Sequence, residues 1–285
     1  MKQFHRVIKI GLILTLISTL SMPGFSRGKV AHTTSAVADA VALLPASDAV
    51  AVVDVARLVS ELLPQLRVIA PDQAAKFERE ISEFMGETGI DPYKIRSAVI
   101  GLKMSESNSV SAIIEGISFD PNRLLATIKA KENKQEVKLV DYKGKQVFVM
   151  TSTQAEKAGV NEDLAFTQLD SERVALGTLS GVKSVLDGGN GAANATLTSL
   201  LGQTNNGLLR FAANIPENAR KSLTGQGDMF AQFSTIKTVF GSLDLTGGLS
   251  LLLDTKLRTG SSDEAQTANQ SGRLSRAGQD VFGWQ

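Results

Sequence analysis

The sequence contains no cysteine, and both of its histidines, His5 and His32, stand close to the N-terminus. Beyond residue 32 the chain therefore has neither a thiolate nor an imidazole to contribute to a site. A Ser-His-Asp triad, a Cys-His pair and the common zinc sites all need one of these groups. A disulfide framework and a lipidated cysteine are excluded in the same way. We predict no metal and no cofactor, and we expect a function based on binding.

Aromatic residues are also scarce: they make up 5% of the chain, and the single tryptophan, Trp284, is its second-last residue. This composition argues against platforms that stack on sugar rings. The glycine-rich stretch "DGGNGAAN" at residues 187–194 follows a predicted helix, whereas phosphate-binding glycines stand between a strand and the helix that it leads into. We therefore interpret the stretch as part of a linker between two lobes.

Positive and negative charges are nearly balanced, with 30 Lys and Arg residues against 29 Asp and Glu. Three of the basic residues, Lys2, Arg6 and Lys9, belong to the first 26 residues, so the rest of the chain has 27 basic and 29 acidic residues and a net charge of −2. A phosphate backbone is bound through a concentration of positive charge, which this composition lacks. We do not expect nucleic acid as a partner.

The first 26 residues have the pattern of a secretory signal peptide. A basic start is followed by an apolar run from Ile10 to Met22 and then by Pro23. The run is shorter than the roughly 20 residues that cross a bilayer. We predict cleavage after Ser26, with cleavage after Ala38 or an uncleaved anchor as alternatives. After removal of the signal we expect no membrane-spanning segment, and a location in the periplasm or outside the cell.

The remaining chain is interpreted as a flexible leader, residues 27–46, followed by a first α+β lobe, residues 47–190. The lobe begins with a β-branched strand, Ala49 to Val53, and Asp54 stands where the next helix needs an N-cap. Asp120 precedes a proline at a second predicted helix start. Polar turns separate the alternating strands between and after these helices.

From Gly207 the order of elements begins again. Residues 95–104, "IRSAVIGLKM", align by residue type with residues 236–245, "IKTVFGSLDL", and residues 110–120 align with 249–259. The common unit is β-α-β-β-α, most of a ferredoxin-like half, with helices on one face of an antiparallel sheet.

We therefore predict an α+β fold with a duplicated unit. Its two lobes are joined by a Gly/Asn-rich linker, residues 191–206, and the second lobe spans residues 207–285. The alternative is that alternating strands of any α+β protein can be aligned in this way. No further strand pair is predicted after residue 259, so the second lobe is either truncated or completed differently.

Two acids stand within predicted apolar strands and are the candidate catalytic residues. They are Glu115 and its counterpart in the second unit, Asp254. Two carboxylates about 5 to 9 Å apart can hydrolyse a glycoside, and an inward acid is costly unless it has a partner. The alternative is that both point outward from a wet sheet face. A Ser-x-x-Lys pattern at Ser180 and Lys183 is interpreted as a helix start, with Ser180 as the N-cap.

Residues 43–64, "LLPASDAVAVVDVARLVSELLP", and 89–102, "GIDPYKIRSAVIGL", resemble the start of the mature domain in a loose group of exported bacterial proteins of unknown function. The resemblance covers residues 43–131. It implies a duplicated α+β sheet protein outside the cytoplasm, and it implies no activity. The short C-terminal unit departs from this pattern.

These observations lead to a first hypothesis of a non-catalytic exported protein that binds or scaffolds in the cell envelope. A cavity between sheet and helices would make it a carrier of a hydrophobic small molecule. A second hypothesis is a periplasmic hydrolase that depends on carboxylates. A third is an envelope protein that works only in complex with a partner protein.

Overall fold

The computed structural model of the 285-residue chain describes residues 34–104, 109–130, 137–150, 162–224, 235–246 and 250–259. The predicted signal peptide, both histidines and Trp284 lie outside these residues, as does the region after residue 259.

Within the described residues, ten strands form one continuous sheet in the order β10-β9-β8-β1-β2-β3-β7-β6-β5-β4. Every pair of neighbours is antiparallel. The strands are β1 (Ala49–Asp54), β2 (Ser97–Lys103), β3 (Ser109–Glu115), β4 (Val137–Tyr142), β5 (Lys145–Met150), β6 (Leu164–Gln168), β7 (Arg173–Thr178), β8 (Leu209–Asn214), β9 (Ile236–Thr246) and β10 (Ser250–Thr259). The predicted α+β class with an antiparallel sheet is confirmed.

The first helix precedes β1, and the others lie between strands in the chain. They are α1 (Thr34–Leu43), α2 (Val55–Arg57), α3 (Leu63–Ile69), α4 (Pro71–Thr88), α5 (Pro121–Ala130), α6 (Leu179–Leu186), α7 (Ala195–Leu201) and α8 (Glu217–Thr224). A π-helical turn, Leu58–Leu62, joins α2 to α3, and a 3₁₀ turn, Pro92–Lys94, precedes β2. None of the described helices combines the length and the apolar character needed to cross a membrane.

Local capping signals place several of these helix ends. Asp54 caps α2 by accepting a hydrogen bond from the Arg57 N–H at 3.0 Å, as predicted. Asp120 accepts from the Asn122 N–H at 2.9 Å at the start of α5. Gly89 ends α4 in the left-handed conformation, with φ of 74°. The helix at residue 179 begins earlier than predicted, because Thr178 and not Ser180 accepts the capping hydrogen bond from the Gly181 N–H.

One face of the sheet, which we call the helix face, is covered by α1, α6 and α7. Residues paired directly across antiparallel strands point to the same face, so the register assigns every strand residue to a face. The main core lies here and contains the sheet residues Val50, Val52, Val99, Ile113, Ala175, Ala212 and Phe240. Helix residues complete it, namely Ala40, Val41, Leu44, Val185, Leu197, Leu200 and Leu201. These three helices lie on one face of the sheet, as predicted.

The other face carries exposed leucines, and we call it the leucine face. It is defined by Leu102, Leu139, Leu176, Leu253 and Leu257, each of which is at least 38% exposed. The register places them on the side opposite to Val52 and Val99. The leucine face is exposed only in part, because five of its residues are buried: Val53, Ala98, Ala112, Phe148 and Val174.

Two segments predicted as flexible or as linkers form part of the core. Residues 34–43 of the predicted leader form α1, in which Ala40 and Val41 are buried. In the predicted linker 191–206, α7 buries three leucines, and Asn194 is completely buried. The Asn194 carboxamide accepts from the Ser47 N–H at 2.9 Å and donates to the Pro45 carbonyl at 2.9 Å. The leader segment consists mostly of small residues, whose weak periodicity hides a packed helix, whereas α7 follows a stretch rich in glycine and asparagine that resembles a linker.

Candidate functional site

Glu115, the first candidate residue, is the last residue of β3 and lies on the helix face. Its side chain is only 7% exposed, and the Ser97 hydroxyl donates to its Oε2 at 2.6 Å. Ser97 and Arg173 are its neighbours across the two adjacent strands. Of the two orientations that the sequence allowed, the structure has the inward one, with a hydrogen-bonded carboxylate.

The neighbouring arginine is engaged elsewhere. The Nε and Nη2 atoms of Arg173 each lie 2.6 Å from Asp170 Oδ2. Asp170 also accepts from the backbone N–H groups of Glu172 and Arg173, so it shapes the turn between β6 and β7. Within the described part of the chain, no lysine or arginine nitrogen lies within 4.0 Å of the Glu115 carboxylate. Ser97 is therefore the partner that stabilises this buried acid.

Asp254, the second candidate, lies in the edge strand β10, also on the helix face. It is half-buried, and the Asn205 side-chain amide donates to its Oδ2 at 2.8 Å. Lys256, two residues further along, donates to the Gln203 carbonyl at 3.1 Å. The contacts of Asp254 thus connect β10 to the loop that follows α7.

The sheet keeps the two candidate acids far apart. Four strands stand between β3 and β10. With neighbouring strands about 4.8 Å apart, five spacings amount to about 24 Å. Hydrolysis by a carboxylate pair needs about 5 to 9 Å. Glu115 and Asp254 of one chain therefore do not share a reaction site.

A polar cleft of about 470 Å³ opens close to Glu115. It lies beside the start of β2, the end of β3 and the start of β7. It is lined by residues from segments 89–96, 116–118 and 171–172. Its charges are balanced, since the lining contains Lys94 and Arg96 as well as Asp91 and Glu172, and Arg96 Nη2 lies 2.7 Å from Glu172 Oε2. The two basic and two acidic residues give the lining of the cleft no net charge that would select a ligand.

A second polar cluster joins the first helices to β9. Arg57 Nε lies 2.7 Å from Glu61 Oε1, and its Nη2 lies 3.0 Å from Asp244 Oδ1. The hydrogen bond to Glu61 raises the pKa of Arg57. On the same face, burial lowers the pKa of Arg210, against the effect of the nearby Asp54 carboxylate. Nothing here resembles a metal centre: the described residues contain no group of three or more acidic or histidine side chains placed to hold an ion.

The leucine face has an unusual composition for a partly exposed sheet surface. One row of directly paired residues crosses all ten strands and contains no charged side chain. From β10 to β4 the row is Thr255, Gly241, Phe211, Ala51, Ile100, Ala112, Leu176, Phe166, Phe148 and Leu139. A parallel row contains Leu257, Val239, Ala213, Ala49 and Leu102. The sheet is thus apolar on both sides.

Aromatic side chains mark the β5–β6 side of this face. The rings of Phe148 and Phe166 stack with centroids 4.8 Å apart. Phe119, from the segment before α5, meets both rings edge-on at 5.8 and 5.7 Å. Its N–H donates to Gln168 Oε1 at 2.9 Å. This packing buries Phe148, whereas Leu139 and Leu176 next to the two rings stay exposed.

The predicted site residues and the observed surface therefore differ. The sequence pointed to Glu115 and Asp254 as candidate catalytic residues, and the leucine face was not predicted. A signal was present, because β2 and β3 each contain consecutive apolar residues where a sheet with one wet face would alternate. Consecutive apolar residues also occur in strands that are buried on both sides. The pattern alone therefore does not predict an exposed apolar face.

Comparison with known proteins gives little beyond this description. No family model matches the chain, and no curated protein matches its sequence. Among solved structures it is similar to crystal form III of TP0453, with a TM-score of 0.42 and 9% identity over 78% of this chain and 80% of that chain. Crystal form IV of TP0453 gives a TM-score of 0.36 and 7% identity over 83% and 96% of the two chains. Similarity at this level carries no argument about function.

Proposed function

We propose that this protein is an exported binding protein without catalytic activity, and that its leucine face holds a hydrophobic ligand. The proposal of export is based on the signal-like sequence of residues 1–26. The proposal of binding is based on one observation, the uncharged row of side chains on the leucine face, in which Leu139 and Leu176 stay exposed while Ala112 and Phe148 are buried.

The cost of exposing such a surface supports this proposal. Burying one leucine side chain is favourable by about 1.5–3 kcal/mol. Contiguous exposed apolar surface on a soluble protein generally marks an interaction site. Leu102, Leu176 and Leu139 combine exposure of 38–43% with apolar neighbours on the adjacent strands. A flexible acyl chain could contact several of these positions at once without needing any polar partner.

The experiment uses the mature protein purified from the periplasm. Native mass spectrometry and solvent extraction should detect a co-purifying lipid, and a dansyl-labelled long-chain fatty acid serves as the probe after delipidation. Combining Leu102→Thr with Leu176→Thr should weaken probe binding at least about tenfold, since each change removes part of a favourable contact of about 1.5–3 kcal/mol. Threonine is a good strand residue, so the sheet should persist.

The matched control combines Val68→Thr with Val140→Thr. Val68 is 82% exposed on α3, and Val140 is 36% exposed on the helix face of the edge strand β4. These near-isosteric changes also make exposed apolar positions polar, but they leave the leucine face intact. Probe binding should not change. Equal losses in both pairs, or no bound lipid and no probe binding in the unmodified protein, would contradict the proposal.

We also propose that the sheet arose by duplication of a strand triplet. Strand order supports this: β8, β9 and β10 lie on one side of the β1–β8 junction, and β1, β2 and β3 lie in the corresponding order on the other. In each triplet, helical structure follows the first strand and the second and third form an antiparallel pair. Because β1 and β8 are antiparallel, an approximate two-fold axis perpendicular to the sheet would relate the triplets.

A further inference from the structure

The edge strand β10 has properties that are unusual for the edge of a sheet. Within the described part of the chain it pairs only with β9. It is ten residues long and contains no proline, and its register is regular from Ser250 to Arg258. Edge strands of monomeric proteins are generally short or interrupted, because a long open edge is a template for pairing with another strand. Leu252, Leu253 and Leu257 are 57%, 62% and 48% exposed.

The sequence of β10 is complementary to itself in one antiparallel register. When two copies are centred on Thr255, Asp254 lies opposite Lys256 of the second copy, and this pair occurs twice. Leu253 then lies opposite Leu257, again twice. The charged pairs are on the helix face and the leucine pairs on the leucine face. Opposite charges and apolar pairs at directly opposed positions are the favourable cross-strand combinations.

Neighbouring registers lack this complementarity. Moving the centre by one residue places Asp254 opposite Asp254, or Lys256 opposite Lys256. Like charges directly opposed across strands are destabilising. An antiparallel pair of identical strands has its two-fold axis perpendicular to the sheet, so each face of one copy continues into the same face of the other. The two leucine faces would therefore form one surface across twenty strands.

We infer that β10 is a homodimer interface, in which two copies of this chain pair their β10 edges antiparallel with Thr255 at the two-fold axis. The complementarity of β10 to itself identifies the occupant as a second copy. The inference does not depend on the ligand proposed above, because it concerns backbone pairing at the edge of the sheet.

Charge reversal across the interface tests the register. Size-exclusion chromatography with light scattering should show a dimer of the mature protein. Asp254→Lys and Lys256→Asp should each weaken the dimer by roughly tenfold or more, because two cross-strand attractions become repulsions. An equimolar mixture of the two variants should dimerise again, since each then faces the opposite charge. This recovery would show that the single variants are folded.

Cysteine crosslinking tests the two-fold axis, because the chain has no native cysteine. Thr255→Cys should form a covalent dimer on mild oxidation, since directly opposed residues have Cα atoms about 4.5–5.5 Å apart, within disulfide reach. Leu257→Cys is the control. Residue 257 of one copy lies opposite residue 253 of the other, so the two Leu257→Cys side chains are four residues, or about 14 Å, apart along the strands. They should not crosslink.

Two results would overturn the inference. One is a protein that stays monomeric at high concentration and forms no covalent dimer through Thr255→Cys. The edge would then be occupied by another segment of the chain or by a different protein. The other is a dimer that keeps its affinity in both charge-reversed variants or crosslinks equally through Leu257→Cys, because its interface would lie elsewhere.

Discussion

The role of Glu115 follows from the face of the sheet on which it lies and from its hydrogen-bond partner. Glu115 lies inward because it shares a face with Ile113 and Ser111, two and four residues earlier in β3. An inward acid needs a partner, and Ser97 provides one hydrogen bond at 2.6 Å. The pair connects the ends of β2 and β3, next to the polar cleft. Glu115 is thus explained as a structural residue.

The Ser97–Glu115 hydrogen bond should make the effects of mutating the two residues depend on each other. Ser97→Ala should reduce the free energy of unfolding by about 1–3 kcal/mol, because it leaves a buried carboxylate without its hydrogen-bond donor. Glu115→Gln keeps the shape of the side chain and removes the charge. In the double variant the two losses should not add. Urea unfolding of the four proteins measures the coupling, and strictly additive losses would show that the hydrogen bond contributes nothing.

Several helix and turn ends follow from local residue choice, which is why they could be predicted. Asp54, Asp120 and Gly89 act at positions where side-chain capping or a positive φ is needed. The turn between β4 and β5 is also local: Lys143 and Gly144 have φ of 52° and 72°, as a two-residue type I′ hairpin requires. The N-cap of α6 was assigned to the wrong residue, because Thr178 and Ser180 are both good caps only two positions apart.

Replacing Gly86 or Gly144 by alanine should change the free energy of unfolding through backbone conformation alone. A Cβ at Gly86 or at Gly144 would meet nothing within 4 Å. Gly86 is inside α4, so Gly86→Ala should raise the free energy of unfolding by about 0.5–1 kcal/mol. Gly144→Ala should lower it by about 1–2 kcal/mol, because alanine is disfavoured at positive φ. Urea unfolding measures both, and changes of the same sign would contradict the conformational account.

At the scale of the whole molecule, strands from both predicted lobes form one sheet with a shared core. Buried residues of α1 and α7 pack in the cluster that contains Val52 from β1 and Ala212 from β8. β1 and β8 also pair directly at the centre of the sheet. The segment interpreted as a linker is therefore part of what joins the two triplets.

A shared core predicts that the triplets unfold together. Leu197, in α7, is 1% exposed. Leu197→Ala should reduce the free energy of unfolding by about 2–5 kcal/mol, the usual cost of such a cavity. Hydrogen exchange followed by mass spectrometry should show β2 and β9 losing protection in parallel. Loss confined to one triplet would indicate two independently unfolding units.

The α+β class and the main capping residues were available from the chain alone, because hydrophobic period and capping act over a few residues. Strand order and the roles of residues 34–43 and 195–201 were decided by long-range packing, which joins positions about 150 residues apart, as in the hydrogen bond from Ser47 to Asn194. Long-range packing also decided the orientation of Glu115 and its distance from Asp254. Both faces of the sheet carry apolar residues, so alternation in the sequence could not separate the face of the main core from the partly exposed leucine face.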